Sequence, residues 1–154
     1  MLVEYNSLSE NSTIFIYPAS RKLYKNEEPL FQEKINTFLT NFEEIKAAFE
    51  IKYSRFLIIF IDTSLSLNQN DVLVQFILSL EKEFNISLLD KVNVCFKQGE
   101  YAQLKEIPDF KNLIKNKGVS KKTIVFNNLI HTKTEYENSW ETPAEDSWVS
   151  HFFK

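Results

Sequence analysis

Two histidines and one cysteine set narrow limits on the chemistry open to this 154-residue chain. Serine nucleophiles need a base, and only His131 and His151 could serve; no Gly-x-Ser-x-Gly elbow is present to expose a serine. Cys95 could meet His131 in space, but a lone cysteine between Val94 and Phe96 reads first as a small packed strand residue. His131 and Glu135 have the spacing that aligns two ligands on a helix, yet Thr132, Lys133 and Thr134 between them are weak helix formers. One cysteine and two scattered histidines do not compose a structural zinc site, so neither a metal nor a cofactor is expected.

Nucleotide chemistry is restricted by the shortage of glycine. Gly99 and Gly118 are the only two, and they cannot build the loop of backbone amides that a P-loop wraps around phosphate. The same shortage removes the glycine-rich dinucleotide fingerprint. The remaining catalytic candidates are Arg55, which could clamp an anion, and Asp62, which ends an apolar run and could act as a base or hold a metal. Asp62-Thr63-Ser64 is equally the polar chemistry that turns a chain out of a strand, and no second acid is spaced to join Asp62. The balance is against catalysis.

Two stretches could bind rather than react. Between Asp109 and Glu135 there is no acidic residue, while Lys111, Lys115, Lys117, Lys121, Lys122 and Lys133 fall there. Such a segment, 111–133, could face RNA phosphates or a ribosome. It reads more readily as a solvated helix end partly neutralised by the acidic residues that follow, and no aromatic-glycine RNA-binding pattern accompanies it. The second stretch, 127–148 (NNLIHTKTEYENSWETPAEDSW), mixes Asn127, Asn128, Trp140, Glu141 and Trp148 with hydroxyls and acids. Tryptophan among polar neighbours is what protein interfaces favour; the competing reading puts both tryptophans in the core.

The elements that must position these residues are read from periodicity. Residues 13–17 (TIFIY) form a strand stopped by Pro18. Over 28–44, Phe31, Ile35, Phe38, Leu39 and Phe42 recur at helical spacing. Residues 48–53 alternate as a half-wet strand, and 56–61 (FLIIFI) has no polar position, as in a central strand covered on both faces. The link at Ser54 and Arg55 makes these two a hairpin without the usual glycine. A second helix spans 71–84 with Asn70 as its cap, then a strand over 91–97, a helix over 108–117 closed by Gly118, and a strand over 123–126. Thr142-Pro143-Ala144-Glu145 reads as a capping box opening a last helix that carries Trp148 and Phe152. The order predicts an α+β fold with a ferredoxin-like split βαβ core (β-α-β-β-α-β) and a C-terminal helix-strand-helix extension. One domain covers 1–154, with the core at about 13–97 and the extension at about 98–154.

The segments FEIKYSRF, LEKEFNI and VFNNLIHTKTEYENSWETPAEDSW resemble a family of small bacterial proteins of about this length that often carry the label ABC transporter ATPase. The likeness runs from about Phe49 onward. It singles out Arg55, Asn127, Asn128, Trp140, Glu141, Pro143 and Trp148 in this chain, and implies no established activity. The label conflicts with the absence of a Walker lysine loop. The family's cysteine ahead of the second helix is also missing from 66–71 (SLNQND).

Composition narrows the class. The chain is 44% hydrophobic with 14 phenylalanines, enough for a bulky core. A formal charge of -3 lacks the basic excess of a dedicated nucleic-acid binder. The start, MLVEYNSLSENS, has no signal pattern, and the longest apolar run is far short of a membrane span, so a cytoplasmic location without membrane insertion is expected. The favoured expectation is a non-catalytic protein-interaction or adaptor domain with a protein partner. A small enzyme at Arg55 and Asp62, or an RNA-associated protein using Lys115, Lys117, Lys121 and Lys122, are the alternatives.

Overall fold

Strand 56–61 has no hydrophilic side to turn to water, and the fold is arranged around covering it. The computed structural model describes residues 1–42 and 44–154. The elements in order are β1 (Thr13–Pro18), α1 (Glu28–Thr40), β2 (Ala47–Lys52), β3 (Phe56–Ile61), α2 (Leu67–Phe84), β4 (Val94–Gln98), β5 (Tyr101–Lys105), α3 (Ile107–Lys115), β6 (Ile124–Phe126), α4 (Lys133–Ser139) and β7 (Glu141–Pro143). Short 3-10 turns lie at Tyr5–Ser7, Ala144–Asp146 and Ser150–Phe153. The predicted helix 28–44 ends at Thr40, and its position Glu43 lies outside the described residues.

The strands form two antiparallel sheets, β1-β3-β2 and β5-β4-β6-β7. In the first, β3 fills the gap between β1 and β2, which the crossover helix α1 joins; this is a split βαβ unit. All six residues of β3 are buried. Because strand side chains alternate, Leu57, Ile59 and Ile61 meet α1 and α2 through Phe31, Ile35, Leu39, Leu73, Ile77 and Leu80. Phe56, Ile58 and Phe60 point the other way, onto Cys95, Phe126, Ile130 and Trp140 of the second sheet and its flanks. That sheet buries its outer face, Val94, Phe96 and Val125, beneath Phe110 of α3 and Val149. The layers therefore run helix, sheet, sheet, helix. Among the described residues no helix is long and apolar enough to cross a membrane.

The single ferredoxin-like sheet is not what forms. In that arrangement strand 91–97 would pair with β1; instead β4 pairs with β5 and β6. Two features divert it. The end of β1 at Thr13 and Ile14 is taken by the backbone of His131 and Thr132. Gly99, at φ 63°, also returns the chain directly into β5. Residues 101–105 (YAQLK) look polar, yet Ala102 is buried and Leu104 packs against the inter-sheet core.

The expected C-terminal helix is also replaced. Glu141–Pro143 is a strand paired with β6, so Thr142 lies opposite Val125. The Thr142 hydroxyl donates to Ser139 O at 2.8 Å, and Glu145 N–H donates to Lys121 O at 2.9 Å, leaving no capping box. A true box caps α2 earlier than expected: Ser66 Oγ accepts from Gln69 N–H at 3.1 Å while Gln69 Oε1 accepts from Ser66 N–H at 2.9 Å. Thr132 similarly caps α4, so 133–139 is helical despite its weak propensity, and His131 lies ahead of it.

Among the described residues three turns run through left-handed backbone without glycine, one of them at Asn85 (φ 53°), which ends α2. The β2–β3 hairpin uses Tyr53 (φ 57°) and Ser54 (φ 52°). At the end of α3, Lys117 (φ 61°) takes the left-handed position and Gly118 follows it, donating N–H to Leu113 O at 2.7 Å. A Cβ at Gly118 would lie 3.1 Å from Leu113 Cδ2, so that side chain would have to give by a few tenths of an ångström. Lys117→Gly should accordingly stabilise the protein by about 1 kcal/mol, read as a higher urea midpoint at unchanged slope. A lower midpoint would refute the strain at Lys117.

Candidate functional site

Trp140 and Trp148, eight residues apart in one stretch, have different fates. Trp140 is 3% exposed and packs among Tyr53, Phe56, Phe126 and Tyr136, with ring centroids 4.8 Å from Phe126 and 5.1 Å from Phe56. Its indole N–H donates to Asn128 Oδ1 at 3.0 Å, so a buried donor and a buried acceptor satisfy each other. Trp148 is 40% exposed and touches Phe152 edge-on at 6.1 Å.

Asn128 also reaches Cys95, and Arg55 acts on the same thiol by its charge. Burial nevertheless dominates and pushes the thiol up to about 11, against the opposing pull of Asn128 and Arg55. Cys95 is thus a packed side chain, 1% exposed, whose environment favours the neutral thiol. Arg55 is half-buried, and burial lowers its pKa; its Nε is enclosed without a hydrogen-bond partner among the described residues. Asp62 is exposed and leaves the far end of β3. Arg55 precedes that strand and Asp62 follows it, so the two stand roughly 20 Å apart at ~3.3 Å per residue.

The lysine segment is dispersed. Lys115, Lys117, Lys121 and Lys122 are exposed, and Lys122 pairs with Glu145 at 2.6 Å. Lys111 lies over the Phe152 ring. Lys133 leaves the patch altogether: it is 5% exposed, donating to Tyr5 O at 3.0 Å and Leu8 O at 2.8 Å over the Tyr5 ring. There it ties the N-terminal turn to α4. Glu141 is likewise committed within the chain, accepting from Tyr53 OH at 2.8 Å and Lys97 Nζ at 3.2 Å.

A concave site does exist, at the edge where the two sheets meet. One lobe of about 260 Å³ is floored by Ile107 and Phe126 and walled by Lys91, Asn93, Asn127 and Trp148. A second lobe of about 440 Å³ follows β1 along Thr13 and Phe15. Lys91, Asn128 and Leu129 line both. Val92 and Leu129 stand at the mouth, 71% and 62% exposed. Asn127 Oδ1 accepts Leu129 N–H at 3.2 Å, an Asx turn that projects Leu129 outward. The sequence pointed to Asn127, Asn128 and Trp148 but missed Lys91, Val92 and Leu129. An isolated lysine or leucine carries no periodic signal, and only the fold brings these positions together.

Trp140→Ala should cost about 3–5 kcal/mol, whereas Trp148→Ala should cost about 1 kcal/mol or less. Denaturant melts of the two variants check this, and similar losses would contradict the division between core and surface. The Cys95 thiol should resist a disulfide-exchange reagent in the native protein at neutral pH and react on unfolding. Rapid native labelling would show that it is not enclosed. Compared with known protein families, with curated proteins and with solved structures, the chain matches none.

Proposed function

We propose that this protein is a non-catalytic binding module that grips a protein partner at the cleft between 91–93, 127–129 and Trp148. The observation that carries the reading is the convergence of exposed apolar side chains on one concavity. Val92, Leu129 and Trp148 all line the smaller lobe, whose floor is already apolar. Scattered surface hydrophobics are ordinary; three around a single hollow are what a docking site requires. The few polar groups there are amides and one lysine, suited to orienting a bound segment rather than breaking bonds.

Neither alternative gains comparable support. Arg55 and Asp62 are held apart by the length of β3, and the lysine segment is divided by a buried Lys133 and an ion pair at Lys122.

The test is crosslinked co-purification from the protein's own cells, comparing the wild type with Leu129→Asp and Trp148→Ala. Both variants should lose the partner while their melting temperatures stay within about 4 °C of the wild type. Equal recovery by wild type and variants, including none by either, overturns the proposal.

A further inference from the structure

We infer that the cleft captures the free C-terminal end of a protein partner whose last residue is large and apolar, with the terminal carboxylate against Lys91. The inference rests on the protein-binding reading of the same cleft and names the chemistry that would be recognised there.

Lys91 lies where the two lobes meet, half-buried, its ammonium 5.8 Å from the centroid of the Tyr17 ring. Among the described residues its amine makes no hydrogen bond or ion pair. The adjacent acid does not answer it. Asp90 Oδ1 accepts Val92 N–H at 3.0 Å and Oδ2 accepts the Asn93 amide at 3.1 Å, so that carboxylate is spent closing its own turn. Among the described residues no aspartate or glutamate lines either lobe, in a chain that carries 21 acidic side chains. Burial, with no anion to offset it, lowers the Lys91 pKa. A partly desolvated cation lacking a counter-ion is the group that an incoming anion would stabilise.

The charge count selects the anion. Lys91 is the only lysine or arginine lining either lobe, which suits a single negative charge better than a phosphate. Asn127 adds a second donor: its oxygen is used by Leu129 N–H, while its amide nitrogen has no partner among the described residues. Beside these donors lie Ile107, Phe126 and Trp148, an apolar hollow of about 260 Å³ with room for a large side chain. A C-terminal residue bears its carboxylate and its side chain on one Cα, so it supplies both in the smallest space. An internal acid would need a second residue to fill the hollow.

The test uses full-length protein and two random hexapeptide libraries anchored by their N-termini, one ending in free carboxylates and one amidated. Free-ended peptides terminating in Leu, Ile, Phe, Met or Trp should be enriched. The best of them should lose at least about tenfold in affinity on amidation, and equally against Lys91→Met, with binding restored by Lys91→Arg. Folding of each variant is checked by melting. Equal binding of amidated peptides, preference for internal Asp or Glu, or no enrichment overturns the inference. If a cellular partner still depends on Leu129 and Trp148 in those cases, the carboxylate claim alone falls. If that dependence is also absent, the protein-binding reading falls with it.

Discussion

An apolar strand with six buried positions has two faces to hide, and this requirement organises the molecule. Helices α1 and α2 cover the face of Leu57, Ile59 and Ile61; a second sheet covers Phe56, Ile58 and Phe60. A sheet used as a lid brings its own outer face, so Val94, Phe96 and Val125 need α3 and the terminal turns above them. Layering stops at elements that can be amphipathic, and helices are. Four layers therefore follow from one strand that offers water nothing.

Local strain and buried polarity are tolerated where this packing over-determines them. Tyr53 and Ser54 turn the β2–β3 hairpin through left-handed backbone that side chains disfavour. The Tyr53 ring is held at 5.3 Å from Phe126, and its hydroxyl is fixed by Glu141. Asn128 lies buried beside Trp140, whose indole N–H its oxygen accepts. Lys133 is buried because two backbone carbonyls and an aromatic ring replace its water. In each case a polar group inside the protein serves packing.

The cleft differs in this respect. Its groups come from the lead-in to β4, the turn after β6 and the segment beyond β7, and among the described residues they retain unused capacity: a cation without an anion, an amide nitrogen without an acceptor, apolar side chains without a cover. The contrast with Trp140 and Lys133, whose buried donors are paired within the chain, is what singles out this edge.

Much of the local structure was legible. Strand 56–61, the apolar stripes of α1 and α2 and the buried cysteine of β4 all follow from residue type and spacing, which act over a few positions. The pairing of β4, the strand hidden in YAQLK, the strand at Glu141–Pro143 and the opposite fates of Trp140 and Trp148 did not follow. Each turns on a partner distant in sequence: His131 at the edge of β1, β4 beside Ala102, Val125 opposite Thr142, Asn128 under the indole of Trp140. Lys91 is the sharpest instance, because a lysine beside an aspartate looks paired until the turn spends that carboxylate on Val92 and Asn93. Periodicity determined which surfaces had to be buried; tertiary structure alone decided against what, since burial is satisfied by any complementary face and the choice among faces is made across the whole chain.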